Sequence, residues 1–186
     1  MFFNKQLGGF FPCGIFLLCI SMSFSASAAT KVTVHGGQAR FYGKVVNAAC
    51  TVEMGSRDQV VNMGRVRNSS FNNIGSWSDS VHFNIDLIDC SNNVSQYVTV
   101  FFRGLSDGKD PQVFKVRGGE GGARGIGIGI FDTEDNLFLP NTMPEWGMPI
   151  NNGDTELKFV AKYRATDRVV TPGEASAEVW FSLYYQ

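Results

Sequence analysis

Hydrophobic and polar residues alternate with a period of two along much of this chain, and that period is typical of β-strands with one buried face. The alternation is clearest at the C-terminus, where an apolar side chain occupies every second position from 177 to 185. Residues 81–87 and 157–164 alternate in the same way, and residues 98–102 form a short run of strong β-formers. Gly, Asn, Asp and Pro separate these runs, so the pattern predicts one all-β domain of the sandwich or barrel type.

Glycines crowd residues 118–132, which raises the alternative of a phosphate-binding loop. Such loops lead into a helix, so that backbone N–H groups and the helix dipole face the anion. Here Gly125, Gly127 and Gly129 instead alternate with isoleucines, and residues 132–136 resemble a hairpin tip. The pattern therefore predicts a strand with one apolar face and one bare face, which lets a second backbone or a large side chain approach closely.

Residues 1–28 have the layout of a secretory signal peptide. Lys5 supplies the positive start, residues 10–20 are mostly apolar, and Ala26-Ser27-Ala28 fits an A-x-A cleavage site. The apolar run is too short for a comfortable membrane span. We therefore expect export, with cleavage after Ala28.

The cysteines divide between the predicted signal and the mature chain. Cys13 and Cys19 leave with the signal; a lipoprotein interpretation of Cys19 is disfavoured because Leu18 is bulkier than the small residue expected there. Cys50 and Cys90 remain, and two cysteines in an oxidising compartment most simply pair. Closing a loop of about 40 residues contributes roughly 4 kcal/mol in the chain-entropy model.

Composition and charge argue against several function classes. The net charge is −1 and no cluster of Lys and Arg stands out, whereas nucleic-acid binding needs a basic surface. The chain has two histidines, His35 and His82. Nucleophilic catalysis by a triad needs a histidine base near Ser or Cys, and neither histidine has such a setting. Two distant histidines and two cysteines also make a poor metal site, so we expect no enzyme activity, metal or cofactor.

The chain has three tryptophans, which could stack on a sugar ring: Trp77, Trp146 and Trp180. Aromatic residues in a β-sandwich more often belong to the core or line a groove. Sugar binding therefore stays the second interpretation of these residues.

Residues 29–43 are strand-like although they lie at a free terminus of the mature chain. Val32 and Val34 occupy even positions, whereas Ala39 and Phe41 occupy odd ones, so one regular strand cannot place both pairs on one face. A bulge at Gly36-Gly37 could restore the phase; otherwise we expect Gly37, Ala39 and Phe41 to be the buried set. The pattern alone leaves two interpretations open, an edge strand of the chain's own sheet or a strand for another subunit.

Several motifs occur in an order and at a spacing that resemble a known family. Residues 43–50 surround the first mature cysteine, residues 58–64 read DQVVNMG, and residues 83–90 end at the second cysteine. Residues 171–175 then lead to the last strand, with Tyr185 next to the end. In these segments the chain resembles the chaperone–usher pilins, most closely the type 1 fimbrial major subunits.

This resemblance implies an incomplete immunoglobulin-like β-sandwich with six strands of its own and a missing last strand. It divides the chain into a signal peptide (1–28), an N-terminal donor-strand extension (29–43) and a pilin domain (44–186). The expected donor residues are Val32, Val34, Gly36, Gly37, Ala39 and Phe41. The expected edge of the groove, which would contact the chaperone, comprises Gly173, Ala177, Val179, Phe181, Leu183 and Tyr185.

The resemblance also implies partners and a location. A periplasmic chaperone is expected to fill the groove first, and an outer-membrane usher then exchanges it for the extension of the next subunit. The product would be an extracellular adhesive fimbria in which the chain is a rod subunit. A minor adaptor, a terminator or an adhesin-like subunit is the alternative.

Overall fold

The structure is a computed structural model that describes residues 38–43 and 48–185. The chain divides into two units, residues 1–43 and residues 44–186. In the first unit, the described residues 38–43 have no regular secondary structure, and their side chains are exposed. The predicted signal peptide and its cleavage site lie outside the described residues.

The second unit is built from short and long strands. Its described part contains nine: β1 Thr51–Val52, β2 Val81–Cys90, β3 Tyr97–Gly104, β4 Phe114–Lys115, β5 Ile126–Phe131, β6 Leu137–Phe138, β7 Met148–Pro149, β8 Gly153–Ala165 and β9 Val179–Tyr185. Five of these have six residues or more, and together with the segment that contains β1 they correspond to the six strands predicted. The prediction of an all-β fold is confirmed.

The strands form two antiparallel sheets. The larger has the order β1-β2-β8-β5-β4, with β6 also paired to β5, and the smaller has the order β7-β3-β9. The two longest strands, β2 and β8, pair from Val81 opposite Ala161 to Leu87 opposite Thr155. Strand β9 lies at an edge of the smaller sheet and pairs with β3 from Val98 opposite Tyr185 to Gly104 opposite Val179.

The core lies between the two sheets, because alternate residues of each strand point inward. Ile85, Leu87, Leu157 and Phe159 of the larger sheet are almost fully buried, and so is Val98 of the smaller sheet. Each such side chain contributes about 1.5–3 kcal/mol through burial. Rings from both sheets meet edge to face in this layer: Phe102 of β3 lies 5.4 Å from Phe159 of β8, centroid to centroid.

The predicted disulfide is present, between Cys50 and Cys90. Cys90 is the last residue of β2, and Cys50 directly precedes β1, which pairs with β2 in turn. The bond therefore links the chain at its entry into the domain to one of the two longest strands.

A short helix, α1 (Met54–Arg57), follows β1 and was not predicted. The Glu53 side chain accepts a hydrogen bond from the Gly55 N–H and so caps this helix. The buried Ser56 hydroxyl accepts a second bond, at 2.9 Å, from the Asp86 N–H of β2. Such local side-chain bonds create a turn that a period of two does not reveal.

The bare glycine face of β5 is occupied as the sequence predicted. A Cβ at Gly127 would lie 2.3 Å from Val113 Cγ2, and a Cβ at Gly129 would lie 2.6 Å from the ring of Trp77. Trp77 is held there from two further sides, since its ring centroid is 5.0 Å from that of Phe131 and 4.8 Å from the Arg164 guanidinium. The glycines therefore make room for a large aromatic ring on the outer face of the larger sheet.

We expect Gly129→Ala to lower the free energy of unfolding by about 1–3 kcal/mol, because the added methyl group overpacks a ring that cannot move freely. Guanidinium unfolding, followed by tryptophan fluorescence, measures this change. Gly108→Ala is the matched control, because a Cβ at Gly108 meets nothing within 4 Å. Equal unfolding midpoints for the two variants would show that Trp77 adapts without cost.

Candidate functional site

An open groove of about 1110 Å³ lies between β9 with the residues before it and the segment 58–64. We call this feature the groove. Its apolar floor consists of side chains from both sheets: Phe83, Ile85, Phe102, Ile128, Ile130 and Ala161. Most of these floor residues belong to the hydrophobic core. The groove is therefore an opening into the core of the domain.

One wall of the groove is β9 and the residues that lead into it. Odd-numbered side chains from Ala175 to Tyr185 pack against the core, and each of them is only half-buried. Even-numbered side chains point outward, and Trp180 is 60% exposed. The predicted alternation is present, but the inward face of β9 lacks the cover that β2 and β8 receive.

The backbone of β9 is also incompletely paired. Among the described strands, β3 is the one hydrogen-bonded neighbour of β9. The second edge of β9 therefore presents N–H and C=O groups that an additional strand can bind.

The opposite wall is the segment 58–64, which belongs to no strand. Val61 and Met63 are half-buried, whereas Val60 is 94% exposed. The segment thus alternates as a strand does, yet within the described residues it joins neither sheet. Two walls with inward apolar residues and unpaired backbone fit an extended apolar strand between them.

Two tyrosine hydroxyls tie the β9 wall to the rest of the domain. The Tyr185 hydroxyl donates to the Cys50 carbonyl at 3.3 Å, and the Tyr163 hydroxyl donates to the Ala175 carbonyl at 3.4 Å. Burial raises the pKa of both tyrosines above the ordinary value. Both hydroxyls therefore stay protonated at neutral pH and can donate these bonds.

Gly173 lies before β9 and positions the chain that leads into it. A Cβ at Gly173 would lie 2.4 Å from the Gly121 carbonyl oxygen, so the two backbones touch at this point. Neighbouring backbone bonds join the same segments: the Ala123 N–H donates to Glu174 at 2.9 Å, and the Thr171 N–H donates to Arg124 at 3.0 Å. Gly173 therefore positions the chain that leads into the groove and does not itself line the groove.

The structure places the predicted groove-edge residues at three kinds of position. Ala177, Val179 and Phe181 line the groove. Leu183 and Tyr185 belong to β9 and contact the core beyond the open part of the groove. The second wall and the floor residues Ile128 and Ile130 were missed as site residues, although the alternation of Val61 with Met63 and of the isoleucines with glycines could have suggested them.

Of the predicted donor residues, Val32, Val34, Gly36 and Gly37 lie outside the described residues. Ala39 and Phe41 are described; they form no strand, and Phe41 is 94% exposed. The donor role of these residues stays a prediction.

The other candidate residues do not form a chemical centre. His82 is exposed on β2, and within residues 38–43 and 48–185 no group of three or more His, Cys, Asp or Glu could hold a metal ion. Trp77 packs on Gly129, and Trp146 packs against Phe138, 5.4 Å between centroids. No helix in the described part of the chain has the length and apolarity needed to cross a membrane.

Comparison with known proteins gives one consistent family. A family model described as "Fimbrial protein" matches residues 39–186. The "Type-1 fimbrial protein, A chain" of Escherichia coli is 38% identical over 177 residues, which cover 92% of this chain and 96% of the relative. The "Fimbrial subunit type 1" of Klebsiella pneumoniae is also 38% identical, with the same two shares covered. A chain from a chaperone–usher pilus structure shares the fold, with a TM-score of 0.64 and 23% identity over 85% of this chain and 100% of that one.

Proposed function

The chain belongs to the fimbrial protein family, and on that premise we propose that it is a rod subunit assembled by donor-strand exchange. It is a structural subunit of a fimbria, so the proposal concerns how it joins its neighbours. The observation that carries it is the groove, which opens into the core between the unpaired edge of β9 and the segment 58–64. The N-terminal extension of a second copy is the strand that fills it.

Elementary energetics support this mode of assembly. An added strand forms main-chain hydrogen bonds with β9 while its alternate side chains enter the groove. Each apolar side chain that becomes buried contributes about 1.5–3 kcal/mol. The contact joins two different surfaces, head to tail, so it repeats without closing and builds an open filament.

The exposed edge also explains why a chaperone would be needed. An unpaired, half-buried apolar strand is prone to pair with any available chain. A periplasmic chaperone that occupies the groove prevents this until the outer-membrane usher exchanges it for the next subunit. Residues 1–28, as a signal peptide, supply export into the periplasm. No catalytic role, metal or cofactor enters this proposal.

We assign the odd phase of the extension to the groove, with Gly37, Ala39 and Phe41 inward. The groove needs apolar side chains of unequal size, because its wall runs from Ala177 to the larger Phe181. The even phase would direct Arg40 into an apolar floor, where an unpaired charge is costly. Val32 and Val34 then require a shift of the strand at Gly36-Gly37.

Deleting residues 29–41 tests the proposal. We expect the truncated chain, co-expressed with its chaperone and usher, to bind the chaperone but to add no further subunit through its own N-terminus. Gln38→Ala, which changes an outward residue of the same extension, should polymerise normally. Filaments of normal length from the truncated chain would refute donor-strand exchange. Electron microscopy of these cells also separates a rod subunit, which gives long filaments, from an adaptor, terminator or adhesin-like subunit.

A further inference from the structure

We propose that Arg40 of the incoming copy lies across the sheet from Trp180 of the acceptor. This cation–π pair stabilises the joint between the two copies and fixes which face of the incoming strand points outward. The inference rests on the proposed function, because it needs the extension of a second copy beside β9. The proposed pair is a specificity-determining contact on the outward face of the incoming strand, whereas the inward face of that strand lies in the groove.

The orientation of the incoming strand follows from side-chain size. Along the inward face of β9 and its approach, the side chains grow from Ala177 through Val179 to Phe181. The open volume lies beside this small end, since Leu183 and Tyr185 do not line it. In the extension, size increases toward Phe41, so an antiparallel strand brings its largest side chain beside the small residues of the groove wall. Cores favour such complementary filling, and antiparallel pairs are the commoner kind.

The register follows from the same fit. When Phe41 lies opposite Val179, Ala39 lies opposite Phe181, and Arg40 lies opposite Trp180. A shift of two residues, with Phe41 opposite Ala177, moves Arg40 opposite Glu178 and leaves Trp180 diagonal to it. Because side chains alternate between faces, both registers place Arg40 on the outward face, within reach of the indole ring.

Trp180 is available for this contact. Its side chain is 60% exposed, and it is the first outward residue of β9. Arg103 is its cross-strand partner on β3, but that guanidinium donates to Ser182 Oγ at 3.1 Å and lies 5.5 Å from the Phe101 ring. A tryptophan face is the best aromatic partner for an arginine, so Arg40 completes the row from the open edge.

The charge of Glu178 also favours Arg40 on the outward face of the incoming strand. Glu178 lies on the same face, is exposed, and its Oε2 is 3.3 Å from Arg117 Nη1. A carboxylate beside Trp180 favours a cation on the incoming strand. A slip of one residue would instead turn Arg40 into the apolar groove, so the same residue disfavours the wrong phase.

A double-mutant cycle on assembled filaments tests the pair. Wild type, Arg40→Thr, Trp180→Thr and the double variant are diluted into guanidinium, and released monomer is measured by size-exclusion chromatography. We expect each single variant to release subunits about two- to fivefold faster, from the usual strength of an exposed cation–π contact. The double variant should be no faster than either single one, and Arg40→Lys should be intermediate. Threonine keeps β-propensity, and Arg40 lies outside the folded domain, so its variants leave the acceptor unchanged.

Arg168→Thr is the matched control, because it removes an exposed arginine that does not line the groove and should release subunits at the wild-type rate. Equal release rates for all variants, or effects of Arg40→Thr and Trp180→Thr that simply add, would overturn the pair while filaments still form. A wild-type chain that forms no filament would overturn the proposed function instead.

Discussion

Ala177→Asp should abolish the ability of the subunit to accept a strand while leaving its ability to donate one. Ala177 is half-buried and lines the groove. In the free subunit a carboxylate at this site still reaches water, so the domain should fold. An incoming strand would cover the charge, and burial of an unpaired ion costs several kcal/mol, which corresponds to a loss of affinity of roughly a hundredfold or more.

A mixture of two defective chains tests whether Ala177→Asp blocks acceptance alone. The Ala177→Asp chain can donate but not accept, and the chain without residues 29–41 can accept but not donate. Together they should form a dimer and nothing longer, which native mass spectrometry can count. Tyr184→Asp places the same carboxylate on the exposed outward face of β9 and should still polymerise. If Ala177→Asp assembles as the wild type does, the groove is not the acceptor site.

Removing the disulfide should have the largest effect on the stability of the domain itself. We expect the double variant Cys50→Ala, Cys90→Ala to lose about 2–5 kcal/mol of unfolding free energy, a large share of the 5–15 kcal/mol typical of a domain. The bond closes a loop with a sequence separation of 40, and Cys50 also accepts the hydrogen bond from Tyr185. Loss of the bond therefore loosens the chain entry and the end of β9 together.

Guanidinium unfolding with and without reductant measures this effect. Reductant should lower the midpoint of the wild type toward that of the double variant and leave the double variant itself unchanged. Tyr185→Phe removes the hydrogen bond alone and should cost about 0.5–1.5 kcal/mol. A double variant as stable as the wild type would show that strand pairing between β1 and β2 already holds this region.

Period-two alternation located most of the fold from sequence. It placed β2, β5, β8 and β9, because each of these strands buries one face against the same core, and a run of strong β-formers placed β3. The shift in register between Leu87 and Cys90, where Asp89 adopts a φ of 54°, was not predicted. The alternation does break there, because Leu87 and Ile88 are both apolar and Cys90 lies in the even phase. A break of this kind does not by itself distinguish a bulge from the end of a strand.

Only one of the two walls of the groove could be predicted from the sequence, for a different physical reason. The wall formed by β9 has the alternation of a half-buried strand, and the sequence shows it plainly. The segment 58–64 has no partner strand in the described domain. Its alternating pattern therefore corresponds to no strand pairing in the structure. In the proposed filament this segment would become a strand only when a second molecule pairs with it. The alternation of residues within one chain does not reveal pairing between two chains.

The contact between Tyr185 and Cys50 has a mechanical consequence for a filament under tension. Force carried by the N-terminal extension would enter each domain at Cys50, where the disulfide passes it directly into β2. The end of β9, which would hold the next extension in the proposed filament, is hydrogen-bonded to Cys50 through the Tyr185 hydroxyl. The load would thus cross from one joint to the next through a short, cross-linked part of the domain. Each joint would be pulled along the length of its strands, in shear, so that its hydrogen bonds resist together rather than one after another.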